Sequence, residues 1–255
     1  MKARTLERWA PIALLVAILL IWQFICVVFK VSDFIFPSPL SIARATVEHH
    51  ALILMHAWST FYVTVIGFAI AIVVGVLLGF LMGSSRLAYN AMYPLMTAFN
   101  ALPKAAFVPI LVVWFGIGFG PAVLTAFLIS FFPIMVNIAT GLATLEPELE
   151  DVLRVLGAKR WDVLTKVGLP RSMPYFYGSL KVSITLAFVG TTVSEMTAAN
   201  QGIGYLLISA GSSMQMGLAF AGLVVVGAMA MAMYELFSFV EKRTTAWAHR
   251  GSQSH

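Results

Sequence analysis

Six long, predominantly apolar runs, at roughly 10–29, 59–82, 91–115, 120–143, 175–197 and 218–240, constrain this chain more than any other feature. A hydrocarbon core about 30 Å thick takes about 20 apolar residues as a helix, and each run is that long. In lipid the backbone polar groups must pair within their own segment, so continuous runs predict helices, whereas a membrane barrel shows short alternating segments. The expectation is an all-α polytopic bundle of six transmembrane helices, with 1–255 forming one membrane domain. Composition agrees, at 60% hydrophobic and 11% charged residues. Neither an internal repeat nor a low-complexity tract interrupts the pattern.

The cations are distributed unevenly. Lys2, Arg4, Arg8, Arg86, Arg154, Lys159, Arg160, Lys166, Arg171, Lys242, Arg243 and Arg250 make twelve on one side of the expected membrane, against Lys30 and Arg44 on the other. By the positive-inside rule both termini and the loop 144–173 are cytoplasmic. The net charge of +5 therefore reports topology and gives no support for nucleic-acid binding. The first run reaches spanning length without a small-residue cleavage site, so it reads as a retained helix. Cys26 is the only cysteine, which excludes an intramolecular disulfide and a cysteine metal cluster. The external loop 30–58 carries two prolines followed by an amphipathic stretch expected to lie along the outer surface; His49, His50 and His56 fall there with only Glu48 beside them, and read as solvated surface histidines rather than ligands. No metal or cofactor site is expected.

Within the spans, Gly67, Ala71, Gly75, Gly79 and Gly83 recur every four residues, leaving one helical face nearly bare. Such a face lets backbones approach closely, as static packing or as a sliding surface. Pro94, Pro103 and Pro109 interrupt the third run, where each removes a backbone donor and predicts a kinked or broken helix beside protein or a water-filled path. Residues 200–217 are too short and glycine-rich to span and read as a re-entrant or surface segment on the outer side.

The long polar interruption is "ELEDVLRVLGAKRWDVLTKVGLP", 148–170. Pro147 and the acidic Glu148, Glu150 and Asp151 suit a helix start. Leu149, Val152, Leu153 and Leu156 form an apolar stripe, and Gly157 suits a left-handed helix end. A second short helix over about 158–167, beginning at Ala158, carries Trp161, Val163, Leu164 and Val167, and Pro170 closes it. The result is a helix–turn–helix whose apolar stripes have little soluble mass of their own to cover them, the mark of an interface. An amphipathic hairpin lying on the inner leaflet is the alternative.

These residues resemble the signature loop of the permease subunits of bacterial ABC importers: EAA, three residues, Gly, nine residues, Ile-x-Leu-Pro. Asp151-Val152-Leu153, Gly157 and Val167-Gly168-Leu169-Pro170 fall at those spacings, with Asp for Glu, two bulky residues for the alanines and Val for Ile. "LPKAAFVPILVVWFGIG" (102–118) and "VSEMTAANQGIGYLLISA" (193–210) also look like the branch that handles nitrate, sulfonates, taurine and thiamine-related pyrimidines. The resemblance implies the type I importer fold with a cytoplasmic coupling helix in the bacterial inner membrane. It also implies a second permease copy, ATPase subunits that bind ATP and magnesium, and an external substrate-binding protein. No GxxxxGK[ST] phosphate loop occurs, so energy is expected from a partner and the chain is expected to hold no catalytic residues.

Ionisable residues at membrane depth are functional candidates. Lys181 and Glu235 are expected to pair or to reach the same interface. Lys104, after Pro103, faces either the pathway, favouring an anionic or zwitterionic solute, or the carbonyls freed at the kink. Glu195 is expected to organise an outer gate by accepting backbone N–H bonds from the turn that carries Gly202 and Gly204. A secondary transporter or channel would need more midplane charges, and an embedded enzyme clustered His, Asp or Glu. A membrane anchor for another complex stays open on the sequence.

Overall fold

The computed structural model describes residues 2–143, 155–157 and 159–245, and of 2–8, 160, 161 and 164 the backbone alone. Helix α1 (Lys2–Val28) is followed by α2 (Pro39–Glu48) and by the 34-residue α3 (His50–Gly83). Then come α4 (Arg86–Ala101), a 3-10 turn (Lys104–Phe107), α5 (Val108–Phe115) and α6 (Phe119–Ala143). The short α7 (Arg160–Val163) leads through a π turn (Leu164–Gly168) into α8 (Leu169–Ala198), and α9 (Ile203–Ser212) and α10 (Met216–Thr244) follow. Among the described residues five helices are long and apolar enough to cross a membrane, and α4 with α5 makes a sixth span if the bent pair is one crossing.

Helix α6 is central and packs along its length on α3 and α8. Phe68, Met82, Ile134, Met135, Ile184 and Phe188 fill the core between these three helices. The small-residue face of α3 lies on α6. A Cβ placed on Gly67 would sit 2.7 Å from the Ala126 Cβ, and one on Gly79 2.6 Å from the Met135 carbonyl oxygen. Gly75 and Gly83 meet Ile134 and Leu142 in the same way, and Ala71 is fully buried. Without side chains to hold them apart, the two backbones approach closely enough for dispersion contacts to act along the seam. A second apolar cluster joins α2, the start of α3, α9 and the start of α10 through Ile42, Ile53, Ile203, Leu206 and Leu218.

Three expectations need correction. Of the stretch 30–58, α2 forms the amphipathic part, capped by Ser38, whose Oγ accepts the Ser41 N–H at 3.2 Å, but the end is not loop, because α3 already begins at His50. His56 is therefore inside a helix and buried, not solvated. Of the three prolines in the third run, only Pro103 stands at a break, where α4 and α5 meet at 73°. Pro94 lies within α4, and Pro109 occupies the first turn of α5, where its missing N–H has no helical partner to lose. Pro170 likewise opens α8 instead of closing the short helix before it, because the π turn 164–168 carries the chain on without a stop.

Candidate functional site

Helix α9 starts at a point where three donors of its first turn meet side chains from other helices. Gly202, at φ +100°, takes a left-handed conformation that residues with a side chain rarely adopt. A Cβ there would also fall inside the Glu195 carboxyl group, so both backbone and space demand glycine. The Gly204 N–H donates to Glu195 Oε2 at 3.0 Å, and the Ile203 N–H donates to Thr60 Oγ1 at 2.8 Å. Thr60 passes the chain on, its hydroxyl donating to the two Glu195 oxygens at 3.0 and 2.8 Å. The Gly202 N–H donates to His56 Nδ1 at 3.1 Å, which places the ring proton on Nε2. Gly204 packs with no room for a side chain against the Thr192 carbonyl and the Glu195 Cβ.

All three polar side chains are buried: Glu195 is 3% exposed, Thr60 0% and His56 5%. A carboxylate removed from solvent is costly unless donors surround it, and here a backbone N–H and a hydroxyl do so while satisfying the orphan amides of a helix start. Thr64 extends the chain by donating to Thr191 Oγ1 at 2.8 Å. Glu195 thus accepts a backbone N–H from the glycine-rich turn, in the geometry expected of it. Thr60 was not singled out from the sequence and His56 only as a solvated surface histidine, since they lie 143 and 146 residues from their partners. The signal available was a polar i, i+4 pair at the start of an otherwise apolar helix.

Beside this cluster is a cavity of about 220 Å³ between α3, the start of α6 and the end of α8. Its floor is buried and made by Glu195, Ser59, Val63 and Ala122; its rim is Tyr62, Phe119, Asn200 and Gln201. The Tyr62 and Phe119 rings stack, 5.8 Å between centroids at 16°. The Gly118 N–H donates to the Ala198 carbonyl at 3.0 Å, tying the α5–α6 turn to the end of α8.

At the break in the third run, Lys104 Nζ donates to the Asn100 carbonyl at 2.9 Å and to its Oδ1 at 2.7 Å. Pro103 ends α4, so the Asn100 carbonyl lacks the N–H that a continuing helix would supply, and the ammonium takes its place. Two of the three Nζ donors are engaged in this way, and the residue remains half-exposed.

Lys181 does not pair with Glu235. Its Nζ lies 2.6 Å from Glu241 Oε2 and 5.9 Å from the centre of the Tyr234 ring. Positions 234 and 241, seven apart, share the face of α10 turned to α8; Glu235 lies about 100° round the helix and is exposed.

In the candidate coupling segment, Leu149, Asp151, Val152, Leu153 and Ala158 lie outside the described residues. Gly157 has φ +86°, and Val155 and Leu156 beside it are 89% and 77% exposed. Trp161 lies on α7 and Leu164 on the π turn; Val167 and Leu169 are half-buried, and Pro170 is exposed in the first turn of α8. Lys166 lies 2.7 Å from Asp162 and, by its hydrogen bond and charge, holds that carboxyl below the usual carboxylate range.

Comparison with known proteins gives consistent results. The chain is 30% identical over 203 residues to the formylaminopyrimidine transport permease protein ThiX of Halalkalibacterium halodurans, covering 79% of this chain and 81% of the other. It is 28% identical over 234 residues to a probable ABC transporter permease protein of Haemophilus influenzae, covering 92% and 94%. A putative aliphatic sulfonates transport permease protein, SsuC of Bacillus subtilis, is 27% identical over 94% of this chain and 88% of its own length. The fold matches a chain from inward-facing crystal forms of the MetNI methionine ABC transporter, with TM-scores of 0.66 and 0.68 at 16% identity, covering 77% of this chain and 98% of that one. Residues 71–245 match the family described as the inner membrane component of binding-protein-dependent transport systems. With its apolar helices and its permease relatives, the chain belongs to that family: it is a transmembrane permease subunit of an ABC importer, and ATP hydrolysis lies in a partner subunit.

Proposed function

We propose that two copies of this chain form the translocation pathway, with both termini and the 144–173 hairpin in the cytoplasm. Each hairpin docks in a cleft of an ATPase subunit, and an external binding protein delivers the solute at the α9 end. Nucleotide binding in the motors draws the two hairpins together and exchanges an inward-facing for an outward-facing pathway. The observation that carries this reading is the pair of apolar side chains, Val155 and Leu156, left exposed by the described residues beside the left-handed Gly157. Exposed apolar groups in so tightly turned a segment call for a partner surface.

The solute is small and anionic or zwitterionic. Its support is Lys104, a half-exposed cation with one Nζ donor to spare at the only break in the spans among the described residues. The relatives are named for a formylaminopyrimidine, for riboflavin and for aliphatic sulfonates, in keeping with selectivity set largely by the binding protein. Reconstitution with the ATPase and binding protein encoded beside the chain tests the whole reading. ATP-dependent uptake of the binding protein's ligand is expected, and Lys104→Met should lower uptake per assembled complex about tenfold, the loss of one charge-assisted hydrogen bond. Uptake that ignores ATP refutes the importer cycle; wild-type uptake by Lys104→Met removes Lys104 from the pathway.

A further inference from the structure

The cavity beside Glu195 has a consistent chemistry. Among the described residues the one carboxyl group on its wall is that of Glu195, acceptor-only when ionised, and the Ser59 and Tyr62 hydroxyls and the Asn200 and Gln201 amides can accept there as well as donate. Among the described residues no lysine, arginine or histidine lines it. Among the described residues Glu195 Oε1 accepts a hydrogen bond from Thr60 alone, which leaves a lone pair on that oxygen. The stacked Tyr62 and Phe119 rings frame the mouth. The volume, about 220 Å³, exceeds what a single water needs yet falls short of pockets that enclose drug-sized ligands. It suits a compact head group.

We propose that this pocket binds a cationic N–H head, ammonium, amidinium or guanidinium, of the solute that the chain carries. The proposal rests on the translocation reading and narrows its solute class from anionic or zwitterionic to zwitterionic. The acid end suits Lys104 at the break in the third run, and the basic end suits Glu195 on the pocket floor. The pocket lies within one copy of the chain, between the starts of α3 and α6 and the end of α8, so a dimer presents two such sites.

Thiol labelling of the full transporter complex tests the pocket without requiring transport, so its failure is distinct from failure of the importer reading. Cys26, the only native cysteine, is replaced by alanine, and Ser59→Cys places a thiol on the pocket floor; His49→Cys, on the exposed α2–α3 turn, is the reference. At mildly alkaline pH a cationic methanethiosulfonate reagent should outpace its anionic counterpart at position 59 by about tenfold more than at position 49, the enrichment expected of a cleft lined by one sign of charge. Guanidinium, as the free probe, should slow labelling at 59 and leave 49 unchanged. Glu195→Gln should abolish the preference. Should that variant fail to assemble, Ala122→Phe, which fills the floor, should block labelling at 59 by both reagents. Equal reagent preference at the two positions, no protection by guanidinium, or unimpeded labelling in Ala122→Phe overturns the proposal.

Discussion

Replacing Gly79 by alanine pits two effects of opposite sign against each other. Alanine is favoured over glycine inside a helix by about 0.5–1 kcal/mol, so on an unencumbered face the substitution stabilises. On the α3–α6 seam the new methyl would lie 2.6 Å from the Met135 carbonyl oxygen and 2.9 Å from the Ile138 Cβ, where carbon contacts prefer about 3.5–4 Å. The carbonyl belongs to a helix and cannot retreat alone, so α3 and α6 must part by most of an ångström. A gap of that size forfeits about a quarter to a half of each contact's attraction, and overpacking of this kind costs about 1–3 kcal/mol. The clash outweighs the helix preference, leaving a net loss of about 0–2.5 kcal/mol centred near 1, where each 1.4 kcal/mol is a tenfold shift toward the unfolded state. Gly227→Ala on α10 is the control, because a Cβ there meets nothing within 4 Å. The assay is thermal unfolding of the purified complex in detergent, followed by the folded fraction surviving on a sizing column. Gly79→Ala should melt below wild type and Gly227→Ala at or above it. Equal or raised stability for Gly79→Ala would show that the seam is loose and the reasoning wrong.

Thr60→Val keeps the shape but removes the hydroxyl that serves the Ile203 N–H and Glu195 together; interhelical hydrogen bonds in membranes are worth about 0.6–1.7 kcal/mol each, so a loss of about 1–3 kcal/mol is expected. The same melting assay checks it, and Thr60→Ser should recover most of the loss. Glu241→Leu should destabilise more than the double variant Lys181→Met with Glu241→Leu, because the single change strands a largely covered ammonium. Additive losses in that cycle would rule out direct coupling between the two residues.

What could be read from the sequence followed the local physics of each residue. The spans were legible because lipid demands long apolar helices, and the break at Pro103 because proline cannot donate. The 73° angle was not, since it depends on what α4 and α5 pack against. Glu195 was legible as a carboxylate beside a glycine-rich turn. Its companions His56 and Thr60 were not, because they come from a helix more than a hundred residues earlier and meet it only through the packing of α3 on α8 and α9. The partner of Lys181 failed for a related reason. Depth in the membrane suggested Glu235, whereas the rotation of α10, fixed by which face packs on α8, selected Glu241. Pro170 was misread because a proline marks a stop or a start with equal force, and only the preceding π turn distinguishes them.

The hairpin's contact with the motor is tested most directly by a photo-crosslinking amino acid at position 156, irradiated in membranes that hold the assembled transporter. An adduct between this chain and the ATPase subunit, strengthened or weakened by ATP, is the expected result. Adducts confined to lipid or to the chain itself, under every nucleotide condition, would contradict the account.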